Sequence, residues 1–249
     1  MATSGTFAEH STNLAIVAAA LRKINRLGDF ETLADSDVRY TAALVTLKHI
    51  VKEMAIMGMP LWAIDELEIP LSNAGFGDAN GVTIGTAGAD VTATPPLKII
   101  QCLRRDADDN DYEMEVYTQD RYNQIPNKTE TGAPLAYTFY PNDASVVATV
   151  KSTLKVWPLP DTTWATDGSL YIRYQRPFED VGTSAQNLDF PAEWQRAIVY
   201  TLAYDLAPDY GVDVNLRTAL KRDRDELLAR AESFTTEEGS LFIQPVRKR

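Results

Sequence analysis

The residues best spaced for chemistry are Asp106, Asp108 and Asn110, in the run Asp106-Ala107-Asp108-Asp109-Asn110-Asp111. Oxygen ligands at the first, third and fifth positions are those a calcium loop uses, because the ion is hard and prefers oxygen. The match ends there. Asp111 occupies the sixth position, where the sharp turn of such a loop needs glycine, and Tyr117 occupies the twelfth, where a bidentate Glu completes the shell. The run therefore reads as a solvated hairpin turn.

Other constellations are thinner. His10 and His49 are the only histidines, and neither stands in an H-E-x-x-H or comparable zinc spacing. Ser-His-Asp chemistry would need one of them, and no G-x-S-x-G elbow accompanies either. Cys102 lies inside the apolar run 97–103, which favours an inert, half-buried thiol over a nucleophile. Neither G-x-x-x-x-G-K-[ST] nor G-x-G-x-x-G occurs, and Gly81, Gly85 and Gly88 sit in a β context without a helix N-terminus to receive phosphate. A pair of carboxylates for glycoside hydrolysis is not recognisable without geometry, and 35 acidic residues make abundance uninformative. The residues thus point to no catalytic, metal or cofactor site.

Bulk properties narrow the field further. With 24 Lys plus Arg against 35 Asp plus Glu, the net charge of −11 disfavours gripping DNA through its phosphates. The single cysteine permits no intrachain disulfide and suits a reducing cytosol. The first twelve residues carry Glu9 and no Lys or Arg, so no signal peptide is expected. The stretch 54–64 contains Gly58 and Pro60 and falls well short of the roughly 20 residues that span a bilayer, so no membrane anchor is expected.

Both ends of the chain read as helices. Leu14, Val17, Leu21 and Ile24 form the stripe of a first helix ended by Gly28; Asp35 or Ser36 caps a second, with Tyr40, Leu44, Leu47, Val51 and Met54 inward and Arg39, Thr46, His49 and Glu53 opposite. From residue 61 the period becomes alternating, as in Leu67, Ile69 and Leu71 or Leu170, Ile172 and Tyr174, and about six or seven short strands are expected. Turns at Asn80-Gly81, 106–111, Thr131-Gly132 and Asp167-Gly168 separate them. Pro191 then starts a helix that Pro208 and Gly211 stop, and a last helix covers about 214–234, with an apolar stripe at Leu216, Leu220, Leu227, Ala231 and Phe234.

The expected fold is α+β: a helical bundle formed by residues 1–60 and 190–234, an inserted, mainly antiparallel β subdomain at 61–189, and a hinge and extended C-terminal arm at 235–249. On the last helix, Arg217, Lys221, Arg224 and Arg230 alternate with Asp223, Asp225, Glu226 and Glu232. That pattern suits matching between neighbouring copies, or a solvated face held by pairs such as Glu226 with Arg230. No heptad seam or wide apolar stripe supports a self-sufficient oligomer, so the free chain is expected to be a monomer. The arm Leu241-Phe242-Ile243-Gln244-Pro245-Val246-Arg247-Lys248-Arg249 is rich in apolar side chains, cannot be helical through Pro245, and ends in three cations.

Several stretches, in order along nearly the whole chain, resemble the head-to-tail adaptor or tail accessory factor family of short-tailed bacteriophages. The first is Met57-Gly58-Met59-Pro60-Leu61-Trp62-Ala63-Ile64 followed at once by Leu67-Glu68-Ile69-Pro70-Leu71. Thr94-Pro95-Pro96-Leu97-Lys98-Ile99 and Val156-Trp157-Pro158-Leu159-Pro160-Asp161 follow, and then Leu170-Tyr171-Ile172-Arg173-Tyr174-Gln175-Arg176-Pro177. The series ends with Leu188-Asp189-Phe190-Pro191-Ala192-Glu193-Trp194 and Leu206-Ala207-Pro208-Asp209-Tyr210-Gly211. In these stretches Trp157 and Trp194 are expected to fill core space.

The resemblance implies a non-enzymatic virion protein at the head-tail junction, made in the host cytoplasm. It implies a twelvefold ring of identical subunits bound to the portal protein, receiving tail nozzle or tube proteins, with DNA passing through unbound. It also implies that the C-terminal segment reaches the portal. Two other classes compete: a virion-associated peptidoglycan hydrolase, resting on the carboxylates alone, and a host-glycan-binding β module, suggested by 11 Tyr and 4 Trp.

Overall fold

The structure, a computed structural model, describes residues 11–57, 61–141 and 150–234. In chain order its elements are α1 (Asn13–Lys23), α2 (Val38–Met57), β1 (Ile64–Pro70), β2 (Val82–Gly85), β3 (Val91–Thr92), β4 (Lys98–Arg105), β5 (Asp111–Glu113), β6 (Glu115–Val116) and α3 (Gln119–Asn123). They continue with β7 (Thr131–Gly132), β8 (Ala136–Tyr140), β9 (Lys151–Trp157), β10 (Leu159–Pro160), α4 (Thr162–Asp167), β11 (Ser169–Gln175), α5 (Gln195–Leu206) and α6 (Val214–Phe234). The chain is α+β, as the change from helical to alternating period predicts. It has more strands than expected because two-residue pairings leave no periodicity to read.

The chain divides into two compact units, Met1–Trp62 with Phe178–Arg249, and Ala63–Pro177. The β segment therefore returns earlier than the expected boundary at 189. Residues 178–190 have neither period and join the helices through contacts distant in sequence. The backbone N–H groups of Asn13 and Leu14 donate to Gln186 O at 2.8 Å and Ser184 O at 3.2 Å, and the Asn13 side chain donates to Thr183 O at 2.8 Å. Phe178, Val181, Leu188 and Phe190 are all buried.

In the helical unit, α5 packs against α1, α2 and α6. The inward residues of α1 include Ile16, Val17, Ala20 and Leu21, with Ile24 just beyond its end, while Arg22 and Lys23 stay exposed. The helix stops at Asn25 rather than Gly28: Asn25 adopts a φ of 58°, and the Arg26 N–H turns back to Leu21 O at 2.9 Å. Asparagine tolerates that left-handed conformation almost as glycine does. The start of α2 is capped by Asp37, whose Oδ1 accepts from the Arg39 N–H at 2.7 Å, and not by Asp35 or Ser36. Tyr40, Ala43, Leu47, Ile50, Val51 and Met54 form its buried face. Of the residues expected opposite, His49 and Glu53 are exposed and Arg39 and Thr46 are half-buried; Val38, Ala42, Val45, Lys48 and Lys52 share the exposed side. Pro191 precedes a 3-10 turn at Ala192–Trp194 that feeds α5, and Gly211, at a φ of 60°, follows it.

In the β unit, a four-stranded antiparallel sheet has the order β1-β11-β4-β5 and a five-stranded mixed sheet the order β3-β2-β9-β8-β6, with β7 and β10 forming a small parallel pair. Both larger sheets contribute to one core, from Ile69, Leu170 and Ile172 on one side to Ile84, Leu154 and Val156 on the other. Ile99 and Cys102 both face it although an odd number of steps separates them. The register of β4 against β11 slips between Arg173 and Tyr174, leaving Ile100 as the extra residue that restores the inward phase.

Candidate interaction surface

The acidic run at 106–111 is the hairpin turn between β4 and β5, and its oxygens are already used. The Asp106 carboxylate accepts from the N–H groups of Asp108 and Asn110, each at 2.9 Å, from the Asn110 amide at 3.1 Å and from the Tyr112 hydroxyl at 3.2 Å. These donors, the Asn110 backbone first, hold its pKa below the ordinary value. Asp109 takes a φ of 61° to close the turn, and Arg105 braces its mouth on Asp111 through bonds of 2.8 and 3.0 Å. No group of three or more His, Cys, Asp or Glu among the described residues is arranged to hold a metal.

Beside the turn lies an open pocket of about 380 Å³, lined in part by Glu68, Arg105, Asp106, Asp109 and Asp167. It collects carboxylates, among them Glu68, which accepts from the Ser169 hydroxyl at 2.6 Å, and Asp106, which is biased towards its ionised form. For Asp106 that is the opposite of what a glycosidase acid needs, a carboxyl kept protonated by an apolar setting.

Cys102 is fully buried 3.7 Å from the Met114 sulfur, and burial pushes its thiol up to about 12, beyond the half-burial the sequence suggests. His49 is exposed on α2, and His10 lies outside the described residues. Trp194 is buried, but Trp157 is only half-buried on β9, where its ring N–H donates to Asn127 O at 3.0 Å.

The four cations singled out on α6 separate into two kinds. Arg224 is committed within the subunit: it donates to Asp225 at 2.7 Å and lies 4.3 Å from the centre of the Tyr204 ring on α5. Arg230 pairs with Glu226 one turn earlier, the intrahelical alternative allowed by the spacing. Arg217 and Lys221 differ. Lys221 is exposed and forms no ion pair among the described residues, and the half-buried Arg217 has an Nε without a hydrogen-bond partner there. Of the stripe residues at 216–231, Leu220 and Ala231 are buried and Leu216 and Leu227 are half-buried. The arm 241–249 and the hinge 235–240 lie outside the described residues.

The structure adds two features that the sequence reading does not single out. The first is the loop 28–37, pinned by Arg39, whose guanidinium meets Glu31 at 2.6 Å, Asp37 at 2.8 Å and Arg26 O at 2.9 Å. Leu33 anchors the loop inward, while Phe30 is 103% exposed at its tip. A lone Phe among acids is the only sequence signal of this feature, and it says nothing of direction.

The second is Asp205 on α5. Burial raises its pKa above the ordinary 3.8, with Arg224 opposing and Glu53 reinforcing the shift. The folded state therefore binds the proton more tightly than the unfolded chain, and stability falls as pH rises from the ordinary value through the raised one. Asp205→Asn should raise the melting temperature at pH 7 and change it little below the ordinary carboxylate range. Melting curves of both proteins across pH check this, and an equal shift at every pH would refute the assignment.

No protein-family model matches the chain, and no curated protein matches it.

Proposed function

We propose that this chain is a structural head-to-tail connector of a tailed-phage virion. It binds the portal as a twelvefold ring, extends the DNA channel, helps retain the packaged genome and provides the platform for tail proteins. The observation that carries this reading is the layout: one unit is built from both chain ends, with α5 packed on α1, α2 and α6, and a separate β unit is inserted between them. It fits a helical bundle that makes ring and portal contacts while the β unit meets the tail. The order of motifs that resembles the adaptor family falls on the same layout.

The net charge of −11 suits a channel through which DNA passes without being held. No helix among the described residues is long and apolar enough to cross a membrane. The C-terminal arm docks on the portal in extended form, steered by its terminal cations towards an acidic partner.

Mixing the purified protein with a portal ring and imaging the product by electron microscopy tests the reading. A second ring stacked on the portal is expected, and light scattering should find the free chain monomeric; portal rings that stay bare would overturn the proposal. Truncation after Glu238 should leave melting unchanged and abolish most portal binding, and undiminished capture would remove the arm from the account.

A further inference from the structure

The loop 28–37 and the outer face of α2 form an apolar surface with an acidic end. Phe30 is fully exposed, and Val38 and Val45 on the α2 stripe are 79% and 55% exposed, with the exposed Ala42 between them. Asp29 and Asp35 are exposed at the same end and pair with no cation among the described residues. The loop is not presented loosely. Arg39 bonds to Glu31, Asp37 and Arg26 O, and Leu33 is buried, so the backbone that holds Phe30 in water is fixed. A large aromatic held outward on a braced loop is already ordered for contact, which lowers the entropy lost on binding.

Past the exposed Asp213, whose carboxylate accepts from the Asn215 N–H at its start, the outer face of α6 carries the opposite charge. Val214 is 71% exposed, Thr218 and Lys221 continue the same stripe, and the half-buried Arg217, whose Nε is itself buried, lies beside them. The two helices have 20 and 21 residues, so their faces have nearly the same length. Laid side by side antiparallel, they set Asp29 and Asp35 of one towards Lys221 and Arg217 of the other. Val38 then lies beside Thr218, and Val45 lies towards Val214. Towards the far end of α2, Lys52 meets Asp180 at 2.5 Å and Glu53 lies beside it, so that end carries little net charge and the acidic end sets the direction.

We propose that the loop 28–37 with the outer face of α2 docks on the first half of α6 of a second copy of this chain. The occupant is a second copy because one chain carries both complementary surfaces. Since the surfaces differ, each copy keeps one of them free after pairing, and copies gathered on the portal extend the contact head to tail until it closes as a ring. The proposal deepens the connector reading by supplying the neighbour of the Arg217 and Lys221 face, and it rests on that reading's association of identical copies.

Val38→Cys and Thr218→Cys are exposed positions, and the natural Cys102 is buried with its thiol pushed up to about 12, so a short bis-maleimide joins only the introduced thiols. A mixture of the two variants should be cross-linked about tenfold faster than either alone, an advantage that disappears in high salt. Adding Arg217→Glu and Lys221→Glu to the Thr218→Cys chain should abolish the advantage. Adding Asp29→Lys and Asp35→Lys to the Val38→Cys chain should then restore it. Equal rates for the mixture and for each variant alone would overturn the proposal, as would failure of the second pair of reversals to restore the rate. No portal is present in this assay. Bare portals with a retained cross-link would therefore sink the connector and leave the pairing, and stacked rings with no selective cross-link would do the reverse.

Discussion

Replacing Phe190 by alanine should cost the helical unit about 3–5 kcal/mol, the usual range for emptying a buried aromatic site. Phe190 is 4% exposed, and its ring centre lies 4.9 Å from that of Phe178 and 5.0 Å from that of Trp62, while Trp194 approaches at 6.2 Å. Trp62 and Phe178 are the residues at which the chain leaves this unit and re-enters it. Four rings from segments distant in sequence thus close the unit at one place, and no neighbour is free to collapse into the void. Hydrogen exchange read by mass spectrometry should show protection lost first in α1, α2 and α5. Uniform loss over both units, or a cost below 1 kcal/mol by urea titration, would contradict the assigned role.

Gly81→Ala is expected to cost about 2–4 kcal/mol, from an unfavourable backbone region together with overpacking. Gly81 has a φ of 82°, and a Cβ there would sit 2.5 Å from the backbone oxygen of Leu154, on the strand that pairs with β2. That oxygen belongs to the sheet and cannot swing away as a side chain would. Gly88→Ala is the control: its φ is 62°, but its nearest neighbour is the Lys151 Nζ at 3.6 Å, the mobile end of a long side chain. It should cost only about 1–2 kcal/mol. Loss of protection confined to β2 and β9 in the first variant, and a much smaller change in the second, are expected; equal costs would show that the close approach to Leu154 does not matter.

The sequence by itself determined what depends on near neighbours along the chain. The periods of α1, α2, α5 and α6 are long enough to show one apolar face, and the alternation of Ile69 and Leu71 or Leu170, Ile172 and Tyr174 fixes their inward side. The turn at 106–111 is legible because Asp and Asn bond to backbone amides only a few residues away. Tertiary structure decided the rest, since the energies involved come from groups brought together across the fold. The segment 178–190 belongs with the helices because Phe178 and Phe190 meet Trp62, a contact that no local pattern encodes. Arg224 is committed and Arg217 is not because Tyr204 lies under one guanidinium while the Nε of the other finds no acceptor. Phe30 points into solvent because Arg39 and Leu33 hold its loop from the other side, and a one-dimensional pattern shows which residues are apolar but not which of them remain uncovered.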